Sequence, residues 1–341
     1  MPDLKQLSFC TFNLLNLNKP GMAIYTDEDG WTGEEYERKV AWAAQQLRIL
    51  DADVYGFEEL WHGGALADVF AAAGLADQYD LVTPETAVGT RIVCAAAVRK
   101  GLLSRPGQWI DKFPEQFRLS SKGSDAQTPA IDVQVNGFSR PVLHFEITPR
   151  EDHGPVMVYV CHFKSKGPTD IFREAWYEKE VHAKHSGAIG AALSTIRRSA
   201  EATALRIVLT ERLKGNDVPA VIMGDINDGQ HSNTANILTG QPRYLVGDSS
   251  GGGDLALYTG QTLQEYRDTR DVYYTYVHQG LRESLDHIFV TQEFYDNSKK
   301  RIWLFQDLVI MNDHLNFDDK KGAGTTDHGI VKATFQYKPM K

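Results

Sequence analysis

The chain has 341 residues, a formal net charge of -9, 42% hydrophobic and 24% charged residues. Those values suit one large layered α/β domain over residues 1–341 with an ordinary core, and they exclude a disordered chain. The acidic balance also excludes avid, non-specific coating of nucleic acid, but not an enzyme that gathers carboxylates around a divalent cation.

Cys10, Cys94 and Cys161 each lie in an apolar run with no C-x-x-C spacing, so buried free thiols in a reducing compartment are expected. The N-terminus lacks a basic stretch followed by an apolar one, and no run approaches the roughly 20 apolar residues of a membrane span. A cytoplasmic chain without membrane contact is expected, or a secreted one had a leader been trimmed. Nothing in the pattern fixes an oligomeric state.

In chain order, Leu7 to Asn13 reads as a strand ending on a polar residue. Thr32-Gly33-Glu34-Glu35 has the form of a capping box, and Val40, Ala43, Ala44 and Leu47 make the buried stripe of the helix it starts. Asp51-Ala52 ends that helix, and Asp53 to Glu59 is the next strand. Further strands are expected over 79–83, 91–99, 131–135, 142–147 and 156–163. Residues 170–214 read as helical, with Ile189, Leu193, Ile196, Ala200 and Ile207 on the face toward a sheet. Gly187 and Gly190 weaken its start, and Gly215-Asn216-Asp217 closes it. Gly247 to Gly253 has the composition of a flexible loop. Late strands fall at 285–291 and 330–336, separated by a polar segment over 311–325. Strands in pairs with occasional helices predict mixed sheets packed face to face with helices outside.

The most informative stretch is Val221-Ile222-Met223-Gly224-Asp225-Ile226-Asn227-Asp228, an apolar strand that stops on a glycine, an acid and an amide. Residues two apart on a strand share a face, so Asp225 and Asn227 can aim at one group. Alone, such a pair would be a turn former.

Five further segments accompany it: Thr11-Phe12-Asn13, Phe57-Glu58-Glu59-Leu60, His162-Phe163-Lys164-Ser165-Lys166, Ser284-Leu285-Asp286-His287-Ile288-Phe289 and Thr326-Asp327-His328-Gly329. Together, and in this order, they resemble the endonuclease/exonuclease/phosphatase superfamily, the DNase I-like fold. The resemblance implies a four-layer α/β sandwich of two mixed β-sheets, with the motif residues on one rim.

It further implies that Glu59, with Asn13 and Asp327, holds a divalent cation, Mg²⁺ first and Mn²⁺ or Ca²⁺ as substitutes. A register slip of one residue would hand that role to Glu58. Asn13 would also contact a phosphate oxygen. Asp225 and Asn227 would orient the attacking water, with Asp225 as base. His328 would contact the scissile phosphate, its tautomer fixed by Asp286. His162 would protonate the leaving oxygen, although Thr90-Arg91, where its orienting acid is expected, offers none. The run His162 to Gly167 is similar to bacterial NucH/ExeM-type nucleases, making Lys164 and Lys166 phosphate contacts. Arg197 and Arg198 read as a solvated helix face. Ser284, His287 and Gly329-Ile330 depart from the usual pattern and blur the subfamily.

The expectation is a metal-dependent phosphodiesterase, foremost a nuclease acting on DNA or RNA without base specificity. One rival is a phosphatase or phospholipid phosphodiesterase of the same fold. Another is a non-catalytic binding module, against which the retained acids and His328 argue.

Overall fold

A computed structural model describes residues 3–25, 29–123, 127–242, 244, 255–268, 274–316 and 319–340. The first part of the chain forms β1 (Gln6–Leu17), α1 (Gly33–Leu50), β2 (Val54–His62), α2 (Gly63–Ala73), β3 (Tyr79–Val82), β4 (Val88–Arg99), β5 (Leu103–Lys112), β6 (Leu119–Ser121), β7 (Ile131–Val133) and β8 (Gly137–Ile147). Then follow β9 (Val156–His162), α3 (Lys179–His182), α4 (Ser186–Leu213), β10 (Ala220–Asp225), α5 (Asn233–Thr239), β11 (Tyr258–Thr259) and α6 (Gly260–Glu265). The last elements are β12 (Tyr276–His278), β13 (Leu281–Glu283), β14 (Asp286–Val290), β15 (Trp303–Met311), α7 (Lys320–Ala323) and β16 (Ile330–Tyr337).

Two six-stranded sheets have the orders β15-β16-β1-β2-β4-β3 and β11-β14-β10-β9-β8-β5. In each, the central pair is parallel, β1 with β2 and β9 with β10, and the strands flanking that pair are antiparallel. A parallel pair needs a crossover, which α1 supplies in the first sheet and α4 in the second. Phe9, Val54, Val158, Val160, Val221, Met223 and Ile288 meet between the sheets. Cys10, Phe12, Tyr55 and Phe57 face outward against Ala43, Leu47, Leu66 and Phe70 of α1 and α2. Tyr159, Cys161, Ala220 and Ile222 face outward against Leu205 and Leu209 of α4 and Leu238 of α5. The result is four layers, helix, sheet, sheet, helix.

Strict alternation along these strands dictates where the polar residues go. The face that carries Phe9 carries Asn13; the faces of Val54, Val160, Met223 and Ile288 carry Glu58, His162, Asp225 and Asp286. All five are buried. At this rim the apolar filling between the sheets gives way to a polar cluster.

Several sequence expectations hold. Thr32 caps α1 with both bonds of the capping box, Asp51 ends it in the left-handed conformation, and Val40, Ala43, Ala44 and Leu47 are buried. All three cysteines are buried and free. Others need correction. The helix expected over 170–214 starts only at Ser186, preceded by short helical turns at Ile171–Arg173 and Lys179–His182. Its buried face is also different: Leu193 and Ile196 are exposed, while Ser194, Arg198 and Glu201 are buried. The expected stripe holds at Ala200 and Ile207, which join the core beneath α4, and fails at Leu193 and Ile196, because the neighbouring buried positions brace backbone. Glu201 accepts hydrogen bonds from the amides of Ser139 and Lys164, both at 2.7 Å. Arg198, expected on a solvated face, donates to the carbonyl of Lys164 at 3.2 Å. Gly190 has a packing reason to be glycine: it lets Thr169 close in, and a Cβ there would lie 2.4 Å from the Thr169 carbonyl oxygen.

The strand at Ile131 pairs only with β6, outside both large sheets. Strands β5 and β15 were missed; Pro106 and Gly107 disguise β5, which survives as an edge strand, where proline is tolerated. The expected loop at Gly247 to Gly253 lies outside the described residues.

Candidate active site

Strand register brings the cluster together. Asn13 lies opposite Glu58, while Asp225 lies opposite His162 on one side and Asp286 on the other. Gly224 makes this approach possible. It has φ +142°, and a Cβ there would sit 1.9 Å from the carbonyl oxygen of Cys161 on β9.

Asp225 is the hub. Its Oδ1 accepts the backbone amide of Asn227 at 2.8 Å, and its Oδ2 accepts the side-chain amides of Asn227 at 3.1 Å and Asn13 at 3.4 Å. The last bond joins the two sheets. His162 Nε2 lies 3.6 Å and His328 Nε2 3.8 Å from the same oxygen. Asn227 therefore does converge with Asp225, though by another route than strand alternation. The strand ends at Asp225, and Asn227 folds back through φ +55° to donate also to the carbonyl of Phe163 at 3.0 Å. Burial raises the Asp225 pKa to about 7, opposed by the nearby His328.

His328 precedes β16 in a loop held on all sides. Thr326 Oγ1 donates to the carbonyl of Asn13 at 2.8 Å, and His314 Nε2 donates to the carbonyl of His328 at 2.7 Å. His328 Nδ1 is 2.8 Å from Asp286 Oδ2, the pairing expected from the sequence. Tyr276 lies against the imidazole with centroids 4.9 Å apart. Burial lowers the His328 pKa, yet Asp286 and Asp225 outweigh it and hold the ring charged well above the ordinary histidine range. His162 is the opposite case. Burial first, then Arg140 and His328, push its pKa well down, and its Nδ1 has no hydrogen-bond partner. The missing orienting acid at Thr90-Arg91 is thus a real feature of this chain.

Backbone geometry separates the two adjacent glutamates. Glu59 would face the helices with Phe57 if alternation continued, but φ +57° and a shift in the β2–β4 register turn it into the cavity. A non-glycine residue in that region costs on the order of 1 kcal/mol, and such strain gathers at functional sites. Glu59 lines a cavity of about 420 Å³ together with His162, Asp225, Asn227, Asp327 and His328. Its Oε2 accepts the Asn16 amide at 3.0 Å. Glu58 sits beneath, accepting from Thr11 Oγ1 at 2.9 Å, with Oε2 unpartnered.

Burial, followed by the neighbouring Asp286, raises the Glu58 pKa well above the usual carboxyl value. A raised folded-state pKa favours the native state fully below the unfolded value and loses that benefit as pH rises through the folded one. Glu58→Gln should therefore raise thermal stability by about 1–3 kcal/mol at pH 8 in EDTA. At pH 4 it should change little; a loss at pH 8, seen in a calorimetric pH series, would mean the ionised form is stabilising.

Glu59 and Asp327 form a second acidic pair. Burial and then Asp327 raise the Glu59 pKa, as crowding of carboxylates does. Both line the cavity and offer hard oxygen donors of the kind that suits Mg²⁺ or Ca²⁺, whereas Asn13, the third expected ligand, is fully buried off the cavity wall with its Oδ1 accepting the Leu15 amide at 3.0 Å. Asp225, Asp286 and His328 also place one ligand atom each within 4.8 Å of one another. The 2.8 Å bond already engages Asp286 with His328 Nδ1, so a proton relay suits that trio better than a metal cage.

The two lysines diverge. Lys166 lines the cavity but is paired with Glu283 at 2.8 Å and lies 3.7 Å from Asp228. Lys164 faces an adjoining groove. Residues that motif reading missed include Arg140 and Tyr276 on the cavity wall and Lys39 behind it. Lys39 is wholly buried and donates to the carbonyl of Thr325 at 2.8 Å. Burial lowers its pKa to about 7, opposed by Asp327 and Glu59. A charged residue breaking the apolar stripe of α1 was the available signal for Lys39; Arg140 and Tyr276 leave none.

Two mixed six-stranded sheets clasped by helices, with acids and histidines buried at one rim, define the DNase I-like class of α/β sandwich. The chain belongs to the Endonuclease/Exonuclease/phosphatase family, whose sequence model matches residues 10–328. An endonuclease/exonuclease/phosphatase from Bacteroides vulgatus has a similar structure, with a TM-score of 0.55 at 14% identity, covering 98% of this chain and 99% of that one. A mannosyl-6-phosphatase from Bacteroides thetaiotaomicron gives 0.54 at 16% identity over 97% of this chain and 100% of that one. A humanized D. rerio TDP2 gives 0.53 at 13% identity over 98% and 100%. No curated protein sequence matches the chain. No helix among the described residues is long and apolar enough to cross a membrane.

Proposed function

We propose that this chain is a divalent-metal-dependent phosphodiesterase, and within that class a nuclease with little sequence specificity, acting as one catalytic unit over residues 1–341. The observation that carries the reading is Asp225 within 4 Å of both His162 and His328, with Asp286 bonded behind His328. Glu59 and Asp327 would hold the cation, Mg²⁺ in first place, which supplies charge neutralisation at phosphoryl oxygens.

Asp225 accepts the proton of the attacking water, since burial raises its basicity toward the operating pH. Asn227 donates to Asp225 and to Phe163, so it acts by fixing the carboxylate. His328, charged through Asp286, donates Nε2–H to a phosphate oxygen. His162, whose basicity burial lowers, regains it beside an anionic phosphate, takes up a proton there and can hand it to the leaving oxygen. Among the described residues no groove-entering element suggests base readout, hence the low specificity.

A panel of plasmid, single-stranded oligonucleotide, RNA, sugar phosphate and phospholipid tests the reading. Nucleic acid should be cut with Mg²⁺ and left intact in EDTA. Hydrolysis confined to lipid or sugar phosphate would retire the nuclease assignment.

A further inference from the structure

Among the described residues the catalytic cavity is lined by four acids, Glu59, Asp225, Glu283 and Asp327. Glu283 alone of these has no part in moving the proton or holding the cation. It stands on β13, which pairs with β12 in a hairpin that belongs to neither large sheet. Glu283 lies directly across that ladder from Tyr276, so the two side chains share a face, and Tyr276 is the ring that lies against His328. The hairpin is tied down at this end: Tyr276 forms a β-bridge with His328, and the Gly329 amide donates to the Thr275 carbonyl at 2.6 Å. Glu283 is thereby held near the histidine that meets the scissile phosphate.

Its carboxylate engages Lys166, in the loop after β9. Both oxygens accept from Lys166 Nζ, at 2.9 and 2.8 Å, as two oxygens of a phosphate would. The second acid near Lys166, Asp228 at 3.7 Å, is committed elsewhere: it accepts from Thr234 Oγ1 at 2.8 Å and the Gly229 amide at 3.2 Å, and it faces Arg198 at 3.4 Å. The Lys166 and Glu283 side chains are 38% and 44% exposed, so water screens their charges and the pair adds little stability. Another anion can therefore take the place of Glu283 with little loss.

We propose that Glu283 is a specificity-determining residue: in the empty site its carboxylate occupies the place on Lys166 that a phosphate next to the scissile one takes, and the substrate must displace it. The inference rests on the phosphodiesterase reading for the position of the scissile phosphate, and it deepens that reading by naming what selects for backbone charge. An anionic backbone competes with Glu283 for Lys166 and is repelled by it until the exchange is made. A substrate whose only phosphate is the scissile one does neither.

The test is equilibrium binding in EDTA of a fluorescein-labelled oligothymidylate, followed by anisotropy, beside the same oligomer built on an uncharged methylphosphonate backbone. Glu283→Gln keeps the shape of the side chain and removes its charge, and at an exposed position it should fold normally, which a melting curve checks. It should tighten binding of the charged oligomer about fivefold or more and steepen the slope of log Kd against log salt by about 0.7, one further phosphate contact on a single strand. The uncharged oligomer should not respond, and most of the gain should vanish in Lys166→Gln/Glu283→Gln. Unchanged or weaker binding of the charged oligomer, an equal gain for both backbones, or a gain undiminished by the loss of Lys166 each overturns the proposal. Hydrolysis of bis(p-nitrophenyl) phosphate with Mg²⁺ by the unsubstituted protein is read separately. If it occurs while Glu283→Gln binds as the parent does, the role given to Glu283 alone is wrong. If it is absent while Glu283→Gln binds more tightly through Lys166, the exchange of anions stands and the enzymatic reading falls.

Discussion

Asp225→Asn should lower turnover by about 10³-fold or more while leaving a folded protein, because a positioned general base contributes roughly 10²–10⁴-fold and asparagine cannot accept the proton. The substitution is nearly isosteric and keeps an oxygen for the Asn227 amide, so the loop after β10 should retain its shape. Linkage fixes the sign of the stability change. The folded-state pKa of Asp225 is raised to about 7, so its favourable contribution is complete below the ordinary carboxyl value and lost as pH climbs through about 7. The asparagine protein, which never ionises, should be at least as thermostable as the parent at pH 8 in EDTA. Its activity loss would then be chemical. A variant retaining a tenth of the parental kcat on a diester substrate would remove Asp225 from the base role.

His328→Ala is a useful contrast, since it strips the buried Asp286 carboxylate of its partner. Asp286 Oδ1 already lacks a hydrogen bond, so the loss of Nδ1 at 2.8 Å leaves an uncompensated charge. Removing one partner of a buried pair costs about 3–5 kcal/mol. A histidine with a raised folded-state pKa stabilises most at low pH, so this penalty should fade as pH rises through the His328 value. Activity of the alanine protein must therefore be read with its melting curve; His328→Gln, which keeps a donor, is the cleaner probe of phosphate contact.

Glu59→Gln should abolish the second large effect, the response to metal. A cation that binds only the native state raises stability by about 2.7 kcal/mol at a concentration 100 times its Kd, and melting temperature should rise with Mg²⁺ in the parent. Losing one of two carboxylates should remove most of that shift and weaken metal affinity by about 10²-fold, whereas Glu58→Gln should leave it in place. The neighbours make a stringent pair: same chemistry, adjacent positions, opposite expectation. If Asp286→Asn removes the shift and Glu59→Gln does not, the cation belongs among Asp225, Asp286 and His328 instead.

The sequence by itself determined more of the site than of the scaffold. The strands that end on His162 and Asp225 were legible because apolar runs that stop on a polar residue are written locally, whereas β1 runs past Asn13 to Leu17 through a register shift, and the partnership of Asp286 with His328 followed from family order. The capping box of α1 and its buried stripe were equally local. What tertiary structure decided was phase and direction. Apolar spacing found Ala200 and Ile207 on the buried face of α4 but not Ser194, Arg198 and Glu201, of which Arg198 and Glu201 brace the chain that follows β9. The choice between Glu58 and Glu59 rested on one left-handed residue and a register shift, which alternation cannot anticipate. Whether a lysine meets a phosphate or a carboxylate depended on which loop faced it, and Lys166 found Glu283. Sequence specifies which side chains a strand end carries; only the packing of two sheets fixes what stands across from them, because those partners lie up to hundreds of residues away along the chain.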